Sequence, residues 1–291
     1  MYLSPNLGKL QNLKVKKRVL GNSSKFSFGF PPWPKISVVI PSFNQASYLR
    51  QTIQSVLDQK YPNLELIVID GGSTDGTASI LKDFESKLHY SVTEPDHGQA
   101  HAINKGMQRA TGDIFAYLNS DDFLLPGSLF LVGNYLKENR SVGAVYGNRV
   151  LVDEKGRESG QWVLPPHSST VMLYRDFVPQ ETLFWRKEAW VKTGAHLDLD
   201  LHYCLDWDFI CRLIEKKVKI VRIPFFLGAF RIHKEQKSLS KVVAWETESN
   251  QIHLKYLGYI PQKSEVRRKI LTYLLLARFK QWLWANGAGL S

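Results

Sequence analysis

At 291 residues, with 44% hydrophobic and 22% charged side chains, the chain is long enough to bury one large core and a smaller appendage. Its two cysteines, Cys204 and Cys211, argue against a disulfide framework and for a reduced, cytoplasmic setting. No apolar run approaches the roughly 20 residues of a spanning helix, and the first apolar stretch is too short and interrupted for a secretory signal, so an integral membrane protein is not expected.

The net charge of +11 is unevenly placed. Cations gather at Lys14, Lys16, Lys17 and Arg18 and again at Arg267, Arg268, Lys269, Arg278 and Lys280. A solvated basic surface, an anionic membrane face and a nucleic-acid arm all fit such clusters. The C-terminal cations are interleaved with Leu274, Leu275, Leu276, Phe279, Trp282, Leu283 and Trp284, which favours an interfacial or docked helix over nucleic acid. Three regions follow: a basic extension over 1–34, a main domain over 35–240, and a C-terminal helical extension over 241–291 that is a candidate for peripheral membrane contact.

Behind the Pro-rich FGFPPWPK, strands and helices alternate. ISVVIP (36–41) reads as a buried strand, followed by a helix with Leu49, Ile53, Val56 and Leu57 at helical spacing. LELIVID (64–70) reads as the second strand, and Ala78, Ile80, Leu81 and Phe84 mark the second helix. HYSVTEP is the third strand, Ile103, Met107 and Ala110 lie on the third helix, and DIFAYL (113–118) is the fourth strand. Pro126 suits the first turn of a helix carrying Leu129, Val132 and Leu136. GAVYGNRVLVDEKG reads as a strand and hairpin. Such alternation predicts a mainly parallel, doubly wound α/β sheet with helices on both faces. Ligands in such sheets bind beyond the carboxyl ends of the strands, and PSFN, DGGSTDG, EPDHGQ and NSDD fall at four of those ends.

In IDGGSTDGT, Ser73 or Asp75 can cap a helix, while Asp70 at the strand end suits a nucleobase or ribose edge. The lysine and glycine spacing of a phosphate-cradling P-loop is missing. Asp121 and Asp122 in NSDD repel each other, which suggests Mg²⁺ or Mn²⁺ completed by substrate phosphates; capping by one of them ahead of Pro126 is the plainer reading. Asp206 and Asp208 precede a helix with Phe209, Ile210, Leu213 and Ile214 on its apolar face, either complementing its dipole or providing a general base. Arg231, His233, Lys234 and Lys237 form a cationic group suited to diphosphate. Asp96, His97, Gln99, Asn104 and Lys105 surround another helix start. His97 and His101 lack the companions of a zinc site.

In order, PSFNQASYLRQTIQSVLDQKYPNLELIVIDGGSTDGT, EPDHGQAHAINKGMQRATGDIFAYLNSDD, LDWDFICRL and FRIH resemble family 2 of the glycosyltransferases over residues 35–240. The resemblance implies the GT-A nucleotide-sugar fold and an inverting, metal-dependent transferase acting on a nucleoside-diphosphate sugar. It places Pro41, Ser42, Asn44, Asp70, Asp96, Asn104, Lys105, Asn119, Ser120 and Asp121 around the nucleotide sugar. It assigns Asp121, Asp122 and His233 to Mn²⁺ or Mg²⁺, and Asp206 to the base. Family members often carry Asp where Asn119 and Gly71 stand here. Residues 160–200, with Trp162, Pro165, Pro166, His167, Gln180, Glu181, Trp185 and Trp190, are expected on the acceptor side, some of the tryptophans being core. The basic, tryptophan-rich C-terminus points to transfer onto a growing cell-surface glycan or a lipid-linked one at the cytoplasmic membrane face. A catalytically inactive binding module and a nucleotidyltransferase are the alternatives.

Overall fold

The runs ISVVIPS and LELIVID are nearly free of polar residues because both faces of these strands are covered. Ser42 and Asp70 are the last residues of their runs, and the two polar residues inside them, Ser37 and Glu65, bond to each other at 2.5 Å, with Lys35 neutralising Glu65 at 2.8 Å. The computed structural model describes residues 31–234, 236 and 242–285, with side chains from 278 onward and that of Val242 left aside. The N-terminal cations Lys14, Lys16, Lys17 and Arg18, together with Lys237, therefore lie outside the described residues, as do the side chains of Arg278, Phe279, Lys280, Trp282, Leu283 and Trp284.

Strands β1 (Ile36–Ser42), β2 (Leu64–Asp70), β3 (Tyr90–Thr93) and β4 (Ile114–Tyr117) form a parallel sheet in the order β3-β2-β1-β4. Order reverses between β1 and β4, creating the crevice that α/β sheets use for ligands. Helices α1 (Ala46–Leu57), α2 (Thr77–Phe84), α3 (Gln99–Arg109) and α4 (Ser128–Glu138) follow in alternation with them. Val39, Ile67 and Ile69 join the core under α3, whereas Ile36, Val38, Ile40, Leu66 and Val68 join the core under α1 and α4, as the two-residue period of a strand requires. Gly106 permits the close approach of α3, since a Cβ there would collide with Val39. On α2 the buried set is Thr77, Leu81 and Phe84, while Ala78, expected inward, is exposed.

The sheet continues as β8 (Phe184–Arg186), β6 (Ala144–Val152), β9 (Ile220–Arg231) and β5 (Phe123–Leu124), with β7 (Glu158–Trp162) forming the expected hairpin on β6. Antiparallel β8 separates β4 from β6, and β6 and β9 run parallel. The expected fold class is thus present, with a parallel half that carries four polar strand ends and a mixed half beside it.

Short helices α5 (Ser169–Met172) and α6 (Lys187–Lys192) flank β8, and α7 (Leu205–Glu215) precedes β9. The last helices, α8 (Val242–Leu257) and α9 (Lys263–Ala285), contribute Ile252 and Ile270 to the main core. Trp185 and Trp190 are core residues. Cys204 and Cys211 are free and buried.

Three local expectations change. Helix α4 starts at Ser128 behind Gly127 in the left-handed region (φ 84°), so Pro126 belongs to the preceding turn. Neither Asp121 nor Asp122 caps it. Asp206 sits within the first turn of α7 rather than ahead of it.

Candidate active site

A cleft of about 680 Å³ opens at the carboxyl ends of the parallel strands. Pro41, Ser42, Asp96, Asn119, Ser120, Asp121, Asp122 and Asp206 all line it. Several polar atoms on its wall, Ser42 Oγ, Gln45 Oε1 and Gln180 Oε1, are buried without a protein partner. Buried polar groups are normally paired, so such atoms mark a surface suited to a polar ligand.

The NSDD loop is held from behind. Thr52 Oγ1 lies 2.7 Å from the carbonyl oxygens of both Ser120 and Asp122. The Asp122 carboxylate accepts the Arg231 N–H at 2.9 Å and is buried. Burial, then the neighbouring Asp121 and Glu181 charges, push its carboxyl well above the usual range. Asp121 is more open and faces the His233 imidazole, with Oδ2 and Nε2 3.0 Å apart. The other ring nitrogen of His233 is buried without a partner.

Arg231 does not serve as the expected diphosphate cation. Its guanidinium is buried and donates to the carbonyls of Asp121 (2.8 Å) and Glu154 (2.9 Å) and to Gln51 Oε1 (2.6 Å), clamping the loop. Lys234 is exposed. Asn119, standing where an acid is common, accepts from Gln99 Nε2 at 2.7 Å.

Four residues expected at the nucleotide do not line the cleft. Asp70 is fully buried, and its two oxygens accept the Ser73 N–H (3.0 Å) and hydroxyl (2.5 Å). Asn44 turns to the Thr74 N–H at 2.9 Å, tying two loops together. Asn104 exchanges hydrogen bonds with the Leu197 backbone at 2.7 and 2.8 Å, and Lys105 pairs with Glu94. Asp96 instead supplies a carboxylate at this rim. A Cβ at Gly71 would stand 2.8 Å from Asp96 Oδ2, so glycine at 71 leaves the space that Asp96 fills. Ser73 and Asp75 also differ from the expected cap: Asp75 Oδ1 accepts the Thr77 N–H at 3.2 Å, while Gly76 occupies the cap position.

Across the cleft, Arg149 donates in bidentate fashion to Glu181 at 2.8 and 2.6 Å. Its guanidinium carbon lies 4.4 Å from the centroid of the Phe230 ring and 5.1 Å from that of Trp162. Removing one partner strands a buried charge, so Arg149→Met is expected to cost about 3–5 kcal/mol of stability in urea unfolding. Replacing Arg149 and Glu181 together by apolar residues should cost less.

Asp176, which the sequence motifs do not single out, also lines this side. Burial first, and the Asp206 charge second, raise its carboxyl to about 8. Ionised near pH 4 in the unfolded chain (~3.9), it contributes stability that is complete below that pH and declines as pH rises towards 8. The Tm of Asp176→Asn relative to wild type is therefore expected to increase from pH 4 to 8; a pH-independent difference would contradict this.

Asp206 is half-buried at the start of α7. Trp207 anchors the helix by donating from Nε1 to the Met172 carbonyl at 2.7 Å. Asp208 is turned into the protein, bound to Arg212, Lys255 and Tyr256 at 2.7–2.8 Å, and is a structural carboxylate.

The chain belongs to glycosyl transferase family 2, whose family model matches residues 37–194. It is 35% identical over 140 residues to the putative teichuronic acid biosynthesis glycosyltransferase TuaG of Bacillus subtilis, covering 47% of this chain and 55% of TuaG. It thus spans about half the length of curated relatives such as TuaG. The structure resembles S. aureus TarS in complex with UDP-GlcNAc, with TM-score 0.64 and 18% identity over 82% of this chain and 71% of that one. It also resembles the mannosyltransferase PcManGT of Pyrobaculum calidifontis in complex with GDP-Man and Mn²⁺, with TM-score 0.61 and 19% identity over 90% and 80%. These likenesses establish the expected GT-A fold.

Proposed function

We propose that this chain is an inverting glycosyltransferase that moves a sugar from a nucleoside-diphosphate sugar to a hydroxyl of a cell-surface glycan or lipid-linked acceptor. The observation that carries the reading is one cleft at the strand ends lined by both Asp121, paired with His233, and Asp206. Pro41, Ser42, Asp96, Asn119 and Ser120 would surround the donor; Asp70 and Asn44 would shape its loops from behind. UDP-GlcNAc in TarS and GDP-Man in PcManGT support a nucleotide-sugar donor.

Asp121 and His233 fit a Mn²⁺ or Mg²⁺ ion. Asp121 Oδ2 and His233 Nε2, 3.0 Å apart, would offer one oxygen and one nitrogen donor to such an ion. A carboxylate and an imidazole leave the other positions to water and phosphate oxygens. Asp122, fixed to Arg231, would support Asp121 from behind. When bound, the cation supplies positive charge against the diphosphate leaving group.

Asp206 accepts the proton of the acceptor hydroxyl. The acceptor oxygen forms its bond to the anomeric carbon as the bond from that carbon to the diphosphate oxygen breaks, and attack from the opposite face inverts configuration. Trp162, Phe230, Tyr203 and Trp245 give the cleft aromatic faces on which sugar rings stack.

A thermal-shift panel of UDP- and GDP-sugars, with Mn²⁺ and with EDTA, tests the donor assignment. Metal-dependent stabilisation by one nucleotide class is expected; stabilisation by none would contradict it.

The membrane part of the reading rests on α9. Val266, Ile270, Tyr273 and Leu274 pack against the core, while Arg267, Arg268, Leu271, Leu275 and Leu276 are exposed. No helix among the described residues is long and apolar enough to cross a membrane. Cations beside exposed leucines suit peripheral contact with an anionic surface. Phosphatidylglycerol vesicles are expected to sediment the protein at modest salt. Equal sedimentation without vesicles would sink the proposal.

A further inference from the structure

Cys204 is the N-cap residue of α7, and its side chain makes no capping hydrogen bond. An acceptor is supplied instead from α8. Glu248 Oε1 accepts the N–H of His202 at 2.9 Å, and Oε2 accepts those of Tyr203 (2.7 Å) and Cys204 (2.9 Å). Glu248 is 7% exposed, so these bonds are made with little competition from water. Three N–H groups converging on one carboxylate are charge-assisted bonds, and a negative charge at a helix N-terminus also complements its dipole.

Asp206 is the second residue after this cradle. On its other side, Asp208 is bound by Lys255 Nζ (2.8 Å) and Tyr256 OH (2.7 Å), both also on α8. The turn bearing Asp206 is thus fastened to α8 before and after it. His202, Tyr203, Leu205 and Asp206 face the cleft, as does Trp245, three residues ahead of Glu248 on α8. Helix α8 lies wholly outside residues 37–194 that match the family.

We infer that Glu248 is a positioning residue for Asp206, holding the peptide groups 202–204 so that the Asp206 carboxylate faces the acceptor hydroxyl. The inference rests on the reading of Asp206 as the general base. Glu248 itself touches neither substrate nor the transferred proton. A glutamine at 248 offers one acceptor oxygen and turns an NH₂ group towards N–H donors, so the turn shifts. Misplacing a reacting group by about 1 Å costs on the order of 10²-fold in rate.

The test uses the full chain and the UDP- or GDP-sugar that wild type turns over, with water as acceptor and nucleoside diphosphate release as readout. Glu248→Gln is expected to lower turnover per nucleotide-binding site about 10- to 100-fold. The Kd for UDP or GDP should remain within about twofold. Glu248→Asp, which keeps the charge but withdraws it by one methylene, should recover part of the loss. Combined with Asp206→Asn, Glu248→Gln should cost almost nothing more, because a residue acting only through Asp206 has nothing left to position. Wild-type turnover in folded Glu248→Gln, or additive losses in the double variant, would overturn the inference. Failure of both Glu248 variants to fold would assign the residue to stability alone and overturn it too. Asp206→Asn retaining wild-type turnover would instead overturn the reading beneath it, so the two failures are distinguishable.

Discussion

Asp206→Asn is expected to reduce sugar transfer about 10²- to 10⁴-fold, the range contributed by a positioned general base. The amide preserves the shape of the side chain at the start of α7 and its local contact to the Trp207 N–H, so the fold should persist. The donor should bind as before, because the residues proposed to face the nucleotide lie at the end of β1 and on the loops after β3 and β4, none of them on α7. Steady-state transfer beside a nucleotide-binding isotherm checks both halves. Loss of transfer with unchanged affinity also separates an enzyme from a binding module. Equal transfer by both proteins would remove Asp206 from the base role.

Asp121→Asn is expected to remove most metal-stimulated activity, whereas Asp122→Asn should retain much of it. The two adjacent acids differ in position. Asp121 shares its contact with His233 at the cleft wall, while Asp122 accepts the Arg231 N–H inside the protein. In Asp122→Asn the side-chain amide oxygen can still accept that bond, but an amide at 121 loses the charge that a divalent cation seeks. Mn²⁺ titrations of activity should show a loss of about tenfold or more in apparent metal affinity for Asp121→Asn, about 1.4 kcal/mol. A larger loss for Asp122→Asn than for Asp121→Asn would reverse the assignment of these carboxylates.

The parallel half of the sheet was legible because its strands are short apolar runs that end at polar clusters, and the NSDD loop followed from β4 by chain order alone. The like charges of Asp121 and Asp122 were visible too, but their different fates depend on Arg231, which arrives from β9 more than a hundred residues later. Asp70 shows the opposite limit. Its place at a strand end follows from the apolar run before it, yet Ser73, three residues on, takes both its oxygens. Asn104 and Lys105 were near the right helix start, but their positions on α3 aim them at Leu197 and Glu94. Asp176, Arg149 and Glu248 had no motif to mark them. Each acquires its place only when β6, the segment before β8, or α8 folds against the cleft, a relationship that local periodicity does not encode.

Nucleoside diphosphate release from a UDP- or GDP-sugar, followed with Mn²⁺ and with EDTA in wild type and Asp206→Asn, tests metal-dependent sugar transfer at this cleft most directly. Release by wild type with Mn²⁺, suppressed by EDTA and by the Asp206 substitution, is the expected result. Pyrophosphate as the product, or diphosphate release indifferent to both EDTA and Asp206→Asn, would contradict it.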